Sequence, residues 1–160
     1  MSQVASYRDL VVWQKAMLLT EEVYRLSEGF PSREQYGITS QLRRATVSVA
    51  ANLAEGHSRA TRKDYAHFVS ISKGSLAEVE TYLILAGRLE LATREQITPA
   101  WHLAREVSKM LTALHQRLTE HETGKEGPGS RGQGPGITPL PWPLEPTFAS
   151  LRSNKSPRPR

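Results

Sequence analysis

The chain has 160 residues and no cysteine, which suits one domain with a real core and excludes disulfides and thiolate metal sites. It has neither the ~18–20 consecutive apolar residues of a membrane helix nor a basic start running into an apolar stretch, so a soluble, cytoplasmic protein without membrane contact is expected. The formal charge of +5 is uneven: residues 1–123 hold 15 Lys+Arg against 14 Asp+Glu and residues 124–160 hold 6 against 2, so pI alone is a weak argument for nucleic acid.

Apolar spacing predicts four helices. The first covers about Tyr7–Ser27. Leu10, Trp13, Met17 and Tyr24 form one stripe, and Val12, Ala16, Leu19, Val23 and Leu26 form another beside it, an arc broad enough for two neighbours. Gly29-Phe30-Pro31 ends it. The second opens at Ser32-Arg-Glu-Gln35, a capping-box pattern, and carries Ile38, Leu42, Ala45, Val49 and Leu53 to a left-handed stop at Gly56. The third starts after Thr61, with Asp64 in its first turn, and runs to about Leu89 through Tyr65, Phe68, Val69, Leu76, Val79, Leu83 and Ala86. The fourth is capped by Thr98 with Pro99 at its first position, and repeats through Trp101, Ala104, Val107, Leu111, Leu114 and Leu118. Short connections make neighbours antiparallel. Strand signals are missing, so the expected class is all-α: an antiparallel up-down four-helix bundle over 1–123.

The composition changes at Gly124. Residues 124–160 hold eight of the 10 prolines and six of the 11 glycines, too little apolar surface to offset the entropy of ordering. A flexible or extended basic tail is the expectation.

In the second helix Gln41, Arg44, Ser48, Asn52 and Glu55 recur every three or four residues beside Ala45, Ala50, Ala51 and Ala54. A polar seam next to a small-residue face suits an internal hydrogen-bond network that fixes helix register, with Glu78 of the third helix included. It equally suits a subunit interface, or a ligand or nucleic-acid site. Glu55 sits at a helix C-terminus, where the dipole repels it, so a cationic partner, Arg59 or Arg62, is expected. Gly74 costs ~1 kcal/mol in mid-helix relative to alanine, and a close helix crossing there is the preferred reading over a phosphate site, which uses glycine at helix starts.

Enzymatic motifs are missing. A di-metal carboxylate bundle needs two Glu-x-x-His pairs and two further glutamates, and the nearest approach is Asp64-Tyr-Ala-His67. No zinc-protease, phosphate-loop or dinucleotide fingerprint occurs. A non-catalytic protein without metal or cofactor is expected. For nucleic acid the candidates are Arg43, Arg59, Arg62 and Lys63, the last three around the turn between the second and third helices, with Arg152, Lys155, Arg158 and Arg160 in the tail. A solvated charged turn is the alternative. About four phosphates per protomer would give a roughly 50-fold loss of affinity between 50 and 200 mM salt on a single strand, so one copy binds poorly and several are needed.

The residues Tyr7-Arg-Asp-Leu10 with Val12-Trp13, Phe30-Pro31 with Glu34 and Tyr36-Gly37, Gln41 with Arg44-Ala45, Ser48, Asn52, Ala54-Glu55-Gly56, Arg59, and Gly74-Ser75-Leu76 with Glu78 carry a resemblance. Over about residues 7–120 the chain resembles the four-helix bundle family named for proteins encoded in intervening sequences of bacterial 23S ribosomal RNA genes. More distantly it is similar to accessory proteins of diversity-generating retroelements. The resemblance implies a homopentameric ring or barrel that binds structured RNA or DNA and, for the retroelement relatives, a partner reverse transcriptase. Ala50-Ala51 stands where the family commonly has proline-serine, and the tail has no family counterpart. The leading expectation is a homo-oligomeric nucleic-acid-binding or adaptor protein. The rival is a protein-interaction scaffold, in which Leu140-Pro-Trp-Pro-Leu144 acts as a polyproline-type ligand.

Overall fold

The computed structural model describes residues 6–120. Four helices follow one another: α1 (Val11–Glu28), α2 (Ile38–His57), α3 (Arg62–Arg88) and α4 (Arg94–Thr119), with single turns of 3-10 helix at Tyr7–Asp9 and Ser32–Glu34. Contacts join α1 to α2, α2 to α3, α3 to α4 and α4 back to α1, the cycle of a four-helix bundle. There is no strand among the described residues. The chain divides into Met1–Lys125 and Glu126–Arg160. The second unit, and with it the tail cations and the Leu140–Leu144 motif, lies outside the described residues.

The core is the expected one. Val12, Ala16, Leu19 and Val23 of α1 meet Leu42, Ala45, Val49 and Leu53 of α2, Val69, Leu76, Val79 and Leu83 of α3, and Ala104, Val107 and Leu111 of α4, all buried. Removing this much branched apolar surface from water, at ~25 cal/mol per Å², is what drives the helices together. The other stripe of α1 differs. Trp13 is half-buried, and Met17 and Tyr24 stay exposed on the flank beside α2.

Helix ends depart from the sequence reading in four places, each for a local reason. Ser6 and Asp9 form a capping box on the Tyr7–Asp9 turn, so α1 itself begins four residues later than Tyr7. Ser32–Gln35 does not cap α2. It closes the turn after Pro31, and α2 starts at Ile38 with no side-chain cap on Gly37. Thr93, rather than Thr98, caps α4 in a box with Gln96, which places Pro99 inside the helix instead of at its first position, where it takes away the amide that would donate to the Glu95 carbonyl. Gly56 is no left-handed stop, since no described glycine has positive φ. It is buried within α2, and a Cβ there would lie 2.7 Å from Phe68 Cβ and 2.9 Å from Tyr65 Cδ2 of α3. The close crossing expected at Gly74 occurs at Gly56, while Gly74 has nothing within 4 Å of a Cβ.

Thr61 does cap α3, accepting from the Asp64 amide at 3.0 Å. At the far end Glu90 takes φ 57. The Glu90 amide donates to Gly87 and the Leu91 amide to Ala86, the crossed pair of bonds that closes a helix with a left-handed residue.

Candidate nucleic-acid interface

α2 touches both neighbours through hydroxyls. Ser48 Oγ and Ser75 Oγ lie 2.8 Å apart, Asn52 Nδ2 donates to the Ser48 carbonyl (2.8 Å) and Oγ (3.0 Å), and Ser72 Oγ donates to the Val49 carbonyl at 3.1 Å. On the other side Thr20 Oγ1 donates to the Ala16 carbonyl at 2.9 Å and lies 3.4 Å from Thr46 Oγ1. Buried hydroxyls without such partners would each cost about 1–3 kcal/mol. Ser48 and Asn52 of the predicted seam are therefore joined to α3. The other seam residues are not part of that chain of bonds: Arg44 Nη2 donates to Gln41 Oε1 at 3.1 Å, Glu55 pairs with Arg59, and Glu78 is exposed. Ser72 is absent from the sequence reading and Ser75 enters it only through the resemblance, although two serines three apart on an apolar helical face are themselves the signal of an interhelical bond.

The turn between α2 and α3 gathers Arg59, Arg62 and Lys63 at one corner. The Arg59 guanidinium pairs with Glu55 and lies 4.8 Å above the Phe68 ring, a planar cation held on an aromatic face. Glu55 thus has the cation its helix position calls for. Arg62 Nη2 donates to the Arg117 carbonyl at 2.5 Å, tying the first turn of α3 to the last turn of α4. Lys63 is exposed. Beneath them, His57 packs edge-on against Tyr65, with centroids 5.8 Å apart, and burial pushes the Tyr65 phenol up. The N-terminus of α3 adds positive potential at this corner, against which Glu55 and Asp64 stand as nearby acids.

Arg43 does not join this corner. It sits near the start of α2, where its Nε donates to Ser27 Oγ at 2.7 Å and its guanidinium lies 4.7 Å over Tyr24. Fourteen residues of helix, about 20 Å, separate its level from the end of α2.

A second feature is apolar. Between α1 and α2 runs a groove of about 290 Å³ lined by Tyr7, Trp13, Met17, Val47, Ala50 and Ala54 among others. Tyr7 and Trp13 meet edge to face at 5.3 Å. No group of three metal-ligating side chains occurs among the described residues, and no described helix is long and apolar enough to cross a membrane.

The family model of the 23S rRNA-intervening sequence protein matches residues 8–113. No curated protein sequence matches the chain. Among solved structures, a protein of unknown function from the S23 ribosomal protein family of Bacteroides thetaiotaomicron is similar, with 26% identity and a TM-score of 0.61 over 66% of this chain and 99% of that one. The matched span takes in α1 to α3, the Arg59–Lys63 corner and most of α4, so the chain belongs to the 23S rRNA-intervening sequence protein family.

Proposed function

We propose that this chain is a non-catalytic, cytoplasmic, homo-oligomeric adaptor that binds structured RNA or DNA. The observation that carries the reading is the α2–α3 corner, where Arg59, Arg62 and Lys63 converge on a helix N-terminus. One corner is weak, because Glu55 and Asp64 offset two of its three cations. Three phosphate contacts on a single strand correspond to a loss of only about 20-fold between 50 and 200 mM salt. Replication around a symmetry axis multiplies the site, and a ring of five, the number the family resemblance implies, turns it into a multivalent surface. A reverse transcriptase is the protein partner suggested by the retroelement relatives.

A mobility-shift titration with structured RNA and with duplex DNA at two salt concentrations tests the proposal. Retention at low salt that weakens steeply with added salt is the expected result. No shift at low salt overturns it. The second reading, a scaffold that binds only protein, is favoured by the α1–α2 groove, whose mostly aromatic and aliphatic lining suits an apolar partner. A protein partner held by a chain that retains no nucleic acid would decide for it.

A further inference from the structure

Two charges on neighbouring helices are paired with no opposite charge among the described residues. Arg44, on the outer surface of α2, pairs only with the neutral Gln41, and Glu78, on the outer surface of α3, pairs with no side chain among the described residues. Each lies beside apolar surface that the bundle leaves uncovered. Val47, one turn on from Arg44, is 44% exposed, and Ile71, two turns before Glu78 on the same side of α3, is 38% exposed. Between Ile71 and Glu78 stands Gly74, a mid-helix glycine whose vacant side is open. Among the described residues no close approach repays its cost.

The contacts between α2 and α3 fix which residues stand level along the bundle. The helices run antiparallel, with Ser48 opposite Ser75 and Val49 opposite Ser72. Continuing that pairing puts Arg44 level with Glu78, Val47 level with Gly74 and Ala51 level with Ile71. In a closed ring whose axis follows the bundle, one protomer is carried onto the next by rotation without translation, so residues that meet across a head-to-tail contact stand at the same level. At every one of these levels the two faces complement each other: arginine against glutamate, a projecting valine against a glycine, a small alanine against an isoleucine.

Resting on the oligomeric reading above, we infer that a second copy of this chain covers these surfaces, the outer face of α2 in one protomer docking on the outer face of α3 in the next, with Arg44 meeting the neighbour's Glu78 and Val47 seated over its Gly74. Two different faces make the contact heterologous, the kind that forms a ring when its rotation closes. Gly74 then has the close approach it lacks within one protomer.

Charge reversal tests the pairing on the full chain, by native mass spectrometry and sedimentation velocity, with circular dichroism to follow the fold. Arg44→Glu and Glu78→Arg each place like charges together and weaken association about 100-fold or more, while the double variant Arg44→Glu/Glu78→Arg restores it. Gly74→Gln fills the seat of Val47, so it weakens association with helix content and unfolding temperature kept or raised. A wild-type chain that stays monomeric removes the oligomeric reading together with this one. A wild-type assembly left intact by the single reversals, or single reversals that the double variant does not rescue, overturns this pairing of faces and leaves the oligomeric reading standing.

Discussion

Gly56 and Glu90 are mirror cases of a residue at odds with its backbone. At Gly56 the space is missing, because any Cβ meets Phe68 and Tyr65 below 3 Å. Gly56→Ala is expected to destabilise the fold by about 1–2 kcal/mol in urea titration, overpacking outweighing the gain in helix propensity. At Glu90 the space is available and the dihedral is wrong, φ 57. Glu90→Gly is expected to add about 0.5–1 kcal/mol in the same assay. Glu80 is a third case, electrostatic. Burial pushes its carboxyl up, more than the Arg105 guanidinium 3.9 Å away pulls it down, and its buried Oε1 accepts no hydrogen bond among the described residues. The folded state therefore holds this proton more tightly than the unfolded chain does. Its penalty is present at neutral pH and vanishes as pH falls through the raised folded value towards the ordinary one. Glu80→Gln should accordingly raise Tm at neutral pH and lose that advantage in acid, which a pH series of melts checks. The exposed Glu106, lowered by the hydrogen bond and charge of Lys15, has the opposite sign and loses its stabilisation as pH falls through its folded value.

At the scale of elements, the core faces were legible because period-3.6 apolar spacing is a strong and redundant signal. Losing one residue of the Leu42–Val49–Leu53 stripe would still leave its direction clear. Ends were less legible because caps compete locally. Thr93 and Thr98 both precede helical sequence, and only the structure shows that Thr93 accepts from the Gln96 amide while Thr98 Oγ1 donates back to the Arg94 carbonyl. Thr93→Ala is expected to cost about 1 kcal/mol, and Thr98→Ala no more than about 0.5 kcal/mol, a difference that paired denaturation curves resolve. Glycine misled twice for one reason. Its letter does not say whether it serves a turn or a close approach, so Gly56 read as a stop and Gly74 as a crossing. The candidate site was half legible: sequence proximity found Arg59, Arg62 and Lys63, whereas Arg43 shares their residue type and faces Tyr24 instead.

For the whole molecule, charge placement outweighs charge total. If the α2–α3 corner is the contact, Lys63→Ala should weaken binding uniformly across sequences and reduce the salt slope on duplex DNA by about 0.9 per corner engaged. Arg43→Ala should leave the slope unchanged. Filter-binding titrations over a range of salt read both. Because Thr46 meets α1 while Ser48 and Val49 meet α3, α2 cannot creep along its own axis without stranding hydroxyls on two sides at once. The bundle consequently resists shear, and its charged side chains keep their spacing like the marks on a ruler. If nucleic acid is the partner, any mismatch with the strand would have to be absorbed by its own bending.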